Sequence, residues 1–172
     1  MERFAVRPEI WYGTGALAAL EKLAGKRVLL VTDGFLAASG LATRAAERLT
    51  GPVEVFDRVE PDPSLQLVAE GVAALEHFQP DVVVAFGGGS PMDCAKAMCW
   101  FSRCRPPLWC IPTTAGTGSE VTSFAVLTDT EKGVKHPLVE EGLLPETAIL
   151  DPALLEGVPP KVTAETGMDV LT

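Results

Sequence analysis

The sequence has no apolar run of about 18 residues, the span a membrane helix requires. Its start, MERFAVRPEIWY, also lacks the uninterrupted apolar stretch of a secretory leader. A cytoplasmic location is the expectation. Positive charge is scarce, with 14 Lys and Arg against 23 Asp and Glu, for a net charge of −9. Nucleic acids and anionic membranes are repelled by such a balance, which leaves a small molecule as the expected partner. The four cysteines, Cys94, Cys99, Cys104 and Cys110, show no CxxC spacing and no secreted disulfide pattern, so free thiols packed in the core are expected. Histidine is limited to His77 and His136, isolated from each other and expected at the surface or a helix end. There is no internal repeat and no low-complexity linker.

What is present is a 47% hydrophobic chain, enough to bury a core. RVLLVTD (27–33) and DVVVAFG (81–87) are continuous apolar runs bounded by charges and turn residues, as in strands buried on both faces of a parallel sheet. VEVF (53–56) and LWCIP (108–112) read as further strands. Spacings of three and four predict helices over 35–49 and 64–78, and another is expected from about 90 to 102. Strands alternating with helices predict an α/β fold with a doubly wound parallel sheet. At the start, EIWY and ALAALEKLAG predict a strand and a helix at the sheet edge. FAVLTD and TAILD are extended by composition, separated by a polar stretch containing EKGVKHP. Pro159 and Pro160 announce a last helix.

Three consecutive glycines, Gly87, Gly88 and Gly89, join a strand to a helix in AFGGGSPMDCAK (85–96). In an open parallel sheet the ligand crevice lies outside the carboxyl ends of the strands, and a helix starting there presents N–H groups and a positive dipole end. Glycines let the backbone approach an anion where a Cβ would collide, so a phosphate or pyrophosphate is the expected ligand. Ser90 reads as the N-cap of the helix, Pro91 as its first residue and Asp93 as the reciprocal half of a capping box, which leaves direct ligand contact by Asp93 open. Lys96 does not directly follow the last glycine as a P-loop lysine must, which disfavours a kinase or ATPase. GTGALA (13–18) matches the dinucleotide pattern GxGxxG/A but follows only a short aromatic strand, and is set aside. Asp33, closing LLVTD, is better placed. A carboxylate at that strand end can bind both ribose hydroxyls and repel a 2′-phosphate, selecting NAD over NADP. PTTAGTGSE (112–120) sets four hydroxyl side chains and two glycines directly after a strand, suited to a base, ribose or amide.

VTDG, EPDPS, FGGGSPMDCAK, PTTAGTGSEVTSFAVLTD, VKHPL, LPETAILDPALL and TAETGMDVLT occur together in one order. In that order they resemble the iron-containing (group III) alcohol dehydrogenases, over essentially the whole chain, most of all the branch with lactaldehyde reductase, propanol dehydrogenase and the ethanolamine-associated alcohol dehydrogenase. The resemblance implies an N-terminal dinucleotide-binding domain over residues 1–158 and, over 159–172, the beginning of a helical metal-binding domain. It implies NAD as cofactor, with Fe2+ or Zn2+ in the complete enzyme, a short primary alcohol or aldehyde as substrate, hydride transfer as the reaction, and a homodimer. Carried over residue by residue, it implies that Asp33 binds the adenosine ribose and that Gly88, Gly89 and Ser90 bind the pyrophosphate. Thr113, Thr114, Thr117, Val126 and Lys135 would bind the rest of the cofactor, and Asp169 would be a metal ligand. The family's other ligands are histidines further along, and neither His77 nor His136 lies in their motif. Asp62 stands where the family often has Asn. A stand-alone nucleotide-binding module without catalysis is the rival expectation.

Overall fold

The computed structural model describes residues 7–171. Among the described residues there are eight strands: β1 (Glu9–Tyr12), β2 (Val28–Asp33), β3 (Val53–Val59), β4 (Val82–Gly87), β5 (Leu108–Pro112), β6 (Phe124–Asp129), β7 (Val134–Val139) and β8 (Thr147–Leu150). The α-helices are α1 (Gly34–Ala38), α2 (Leu41–Ala46), α3 (Leu65–Phe78), α4 (Gly89–Phe101) and α5 (Pro160–Leu171). Six strands form one sheet in the order β1-β8-β5-β4-β2-β3, and every pairing in it is parallel. The doubly wound α/β sheet expected from the sequence is therefore observed.

The continuous apolar runs work because alternate residues serve two cores. Leu29, Val31, Val83, Ala85, Leu108 and Cys110 face the layer of α3 and α4. Their neighbours Val28, Leu30, Val84, Phe86, Trp109 and Ile111 face the other layer, built from α1, α2 and a 3-10 helix at Ala16–Leu23. Each fully buried Val, Leu, Ile or Phe side chain contributes about 1.5–3 kcal/mol, so covering both faces of the sheet is a main source of its stability. Helices α3 and α4 approach closely at Gly71, where an added Cβ would lie 2.6 Å from Met98 Sδ.

The chain leaves β2 through α1 and α2 to reach β3 on one side, and α3 then carries it back to β4 on the other side of β2. The connections thus diverge at the carboxyl ends of β2 and β4, the place where open α/β sheets form their ligand crevice.

Several local expectations are corrected. The helix expected over 35–49 breaks into α1 and α2, because Gly40 takes φ +81° between them. The helix expected after β1 is present as a 3-10 helix, Ala16–Leu23. The polar stretch after FAVLTD contains β7, which pairs antiparallel with β6 in a separate two-stranded sheet. Cys94, Cys99 and Cys110 are buried free thiols as expected, whereas Cys104 is exposed.

Candidate functional site

The turn after β4 is built by its glycines. Gly87 has φ +153°, and a Cβ there would lie 2.6 Å from Pro91 Cγ, so only glycine fits. Gly88 is the N-cap of α4, with no side chain capping it. A Cβ on Gly88 would sit 3.1 Å from Thr114 Oγ1, and one on Gly89 would sit 3.3 Å from Thr117 Cγ2. The bare glycine backbone thereby lets the hydroxyl loop after β5 lie against the start of α4. A 2.9 Å hydrogen bond from Thr113 N to the Gly87 carbonyl fixes the two strand ends together. The result is an uncapped 13-residue helix pointing its positive end into the crevice, with the threonine loop closing one side.

The capping reading of Ser90 and Asp93 is overturned. The helix starts two residues earlier, so Pro91 is its third residue, and Gly88 takes the cap position. Ser90 Oγ instead accepts a 3.4 Å hydrogen bond from Asp62 N. Asp93 turns away from the helix start: Oδ1 accepts from Ser119 Oγ at 2.8 Å and Oδ2 from Val126 N at 3.0 Å. Burial pushes the Asp93 carboxyl above its ordinary pKa, while the bonds from Val126 and Ser119 and the nearby Lys96 ammonium pull it back down.

The sequence marks Lys96 only by its failure to fit a P-loop. Here it is 1% exposed, and its ammonium donates to Ser119 Oγ at 2.8 Å and to the Phe124 carbonyl at 2.7 Å. Burial lowers its pKa, and Cys110, Asp93 and Glu120 oppose that shift. No spacing rule announces this cluster, since Ser119 lies 23 residues from Lys96. The available signal was the small and apolar residues on both sides of Lys96 in MDCAKAMC (92–99), which mark its surroundings as buried.

Asp33 lies at the carboxyl end of the neighbouring strand and caps α1, its Oδ1 accepting from Leu36 N at 2.8 Å. Beside it opens a cleft of about 580 Å³ bordered by Gly34, Asp57, Glu60, Asp62 and Glu70, an acidic wall in which Arg58 is paired with Glu70 at 2.9 Å. Asp62 takes φ +57° and is joined by Lys135 Nζ at 2.7 Å, which ties β7 to the rim of the crevice. Val126 meets the site through its backbone N–H to Asp93.

Asp169, on α5, faces the hydroxyl loop: a Cβ on Gly116 would lie 3.0 Å from Asp169 Cβ. Among the described residues no group of three or more His, Cys, Asp or Glu could hold a metal ion. His77 and His136 are both exposed, on α3 and β7. A second cleft, of about 420 Å³, opens between Arg7, Arg105, Glu141 and Glu146 at the amino ends of β5 and β8, opposite the glycine turn. No described helix is long and apolar enough to cross a membrane.

The profile of the iron-containing alcohol dehydrogenase family matches residues 8–152. Over 178 residues the chain is 46% identical to the 1-propanol dehydrogenase PduQ of Salmonella typhimurium, covering 100% of this chain and 48% of that protein. It is 37% identical to the NADPH-dependent butanol dehydrogenase of Clostridium saccharobutylicum, covering 100% of this chain and 50% of that one. Among solved structures, sulfoacetaldehyde reductase from Bifidobacterium kashiwanohense in complex with NAD+ superposes with a TM-score of 0.88 at 34% identity, over 99% of this chain and 51% of that one. The chain thus spans about half the length of the relatives it matches. With the glycine turn, the threonine loop and the parallel sheet all in place, the chain belongs to the iron-containing alcohol dehydrogenase family.

Proposed function

We propose that the chain is the dinucleotide-binding part of an NAD-dependent, metal-dependent alcohol dehydrogenase, acting on short primary alcohols and aldehydes. The observation that carries this reading is the uncapped start of α4 at the divergence of β2 and β4, with three glycines before it and a threonine loop against it. That cradle fits a pyrophosphate, and the bound nicotinamide would supply or accept the hydride. Gly88, Gly89 and Ser90 hold the pyrophosphate, and Thr113, Thr114 and Thr117 form the wall along which the cofactor runs. Asp33 accepts hydrogen bonds from the adenosine ribose through the oxygen that does not cap α1. The acidic wall of Asp57, Glu60 and Glu70 beside it disfavours an added 2′-phosphate, which supports NAD over NADP. Lys135 and Asp62, as an ion pair at the rim, and Val126, through its backbone, shape the cofactor's far side.

The described residues do not fit a catalytic metal, which takes about three protein ligands with one position left open. Asp169 is the single metal ligand among these residues in this reading. Residues 1–158 form the cofactor domain in this reading, and 159–172 belong to a further helical region. Calorimetry with NADH, followed by an assay with NADH and propanal in the presence of Fe2+ or Zn2+, tests both parts. Binding without turnover is expected. Robust turnover by these 172 residues would contradict the division of labour, and absence of any NADH binding would contradict the cofactor site.

A further inference from the structure

The three nitrogen and oxygen groups buried behind the crevice form a continuous chain. The Lys96 ammonium donates to Ser119 Oγ, and the Ser119 hydroxyl proton goes on to Asp93 Oδ1. The second Lys96 bond, to the Phe124 carbonyl, and the second Asp93 bond, from Val126 N, both reach the first residues of β6. Lys96 and Asp93 lie three residues apart on α4, so they share a face of that helix. Ser119 sits at the end of the threonine loop, and Phe124 and Val126 at the start of the strand that follows it. The two ends of the segment 119–126 are therefore fastened to one helix by a buried cation and a half-buried anion. Between the Thr113 bond to Gly87 and this clamp, residues 114–118 have a fixed path across the glycine turn.

We propose that Lys96 is a positioning residue that, with Asp93 and Ser119, clamps the threonine loop to α4 and so preorganises the cofactor wall. Neither Lys96 nor Asp93 touches the ligand in this assignment. Both oxygens of Asp93 are already bonded within the protein, and Lys96 is buried with its ammonium held by Ser119 and the Phe124 carbonyl. The charges are required together. An isolated buried ammonium or carboxylate is strongly disfavoured, so removing one partner strands the other, whereas removing both leaves a smaller defect. The opposing pulls on the two groups, burial against partnership, agree with such a pair. The inference rests on the cofactor reading for its consequence but not for the clamp itself.

The test is a cycle of Lys96→Met, Asp93→Asn and the double variant, read in two ways. Hydrogen exchange at the amides of 113–123 reports the clamp without any ligand. In Lys96→Met these amides are expected to exchange about tenfold faster or more, with α3 unchanged, as for a local opening. NADH affinity by calorimetry reports the consequence. Each single variant is expected to weaken binding about tenfold or more, and the double variant no more than the worse single, because the partners are coupled. Unchanged loop exchange, or strictly additive losses, would overturn the clamp. Should Lys96→Met fail to fold, Ser119→Ala removes the middle link at smaller cost and must show the same faster loop exchange. If the unmutated chain binds no NADH while the exchange result holds, the cofactor reading fails and the clamp stands.

Discussion

Helices α4 and α5 are nearly equal in length, 13 and 12 residues, and opposite in burial: eight residues of α4 are buried and none of α5. The contrast follows from composition and place. Small side chains, Cys94, Ala95, Ala97 and Cys99, let α4 press on the sheet, on α3 at Gly71 and on β6 at once. α5 keeps Met168, Val170 and Leu171 exposed and meets the rest of the described structure near Gly116, through Thr166 and Asp169. The frame of the crevice is thus set by α4, and α5 adds a carboxylate to its margin without holding it in shape.

The sharpest way to probe the buried helix is by its thiols. Burial pushes Cys94 up to about 12 from an ordinary 9.0, and raises Cys99 further. The Cys94 thiolate at pH 8 is then about a thousandfold scarcer than that of an ordinary cysteine, that of Cys99 scarcer still, and the thiolate is the reactive form. A thiol reagent at pH 8 is expected to label Cys104 rapidly and Cys94, Cys99 and Cys110 only on unfolding. Fast labelling of several thiols in the native state would break the contrast. Truncation is the next test. Met98→Ala removes a fully buried side chain from α4 and should cost about 2–5 kcal/mol in denaturant unfolding, whereas Met168→Ala on α5 should stay within about 0.5 kcal/mol. Equal losses would contradict the assignment of the frame to α4.

Smaller effects sharpen the crevice itself. Gly88 has φ −78°, a conformation open to any residue, so Gly88→Val is expected to act by crowding Thr114 and the anion position rather than by backbone strain. NADH affinity should fall about tenfold or more, ~1.4 kcal/mol, with the circular dichroism spectrum retained. Unchanged affinity in a folded variant would move the phosphate position elsewhere. Asp33→Asn keeps a side chain able to cap α1 but removes the charge, so the preference for NAD over NADP is expected to narrow a few-fold, measured by competition. A preference left intact would assign it to the acidic wall of Asp57 and Glu60 instead.

Much of the frame was legible because both-face burial forces continuous apolar runs, as in VLLVTD and VVVAFG. β7 was not legible, since Val134–Val139 is almost wholly exposed and carries neither an apolar run nor a sheet alternation. The break at Gly40 was hidden inside a good helical spacing, which a left-handed glycine overrides. At the site, the glycine turn and the threonine loop announced themselves by composition. The capping box did not survive because Asp93, although correctly spaced from Ser90, gains more from a buried partnership with Ser119 and Val126 than from an exposed helix end. The buried cluster of Lys96 was not legible for the complementary reason: its partners are distant in sequence, and only the fold brings them to one helix face.

The most direct test of the central claim is amide hydrogen exchange of this chain with and without saturating NADH. New protection is expected over 87–91 and 113–118, with residues 160–171 of α5 and the cleft between Arg7 and Arg105 unaffected. Protection confined to α5 or to that opposite cleft, with the glycine turn unchanged, would contradict the account.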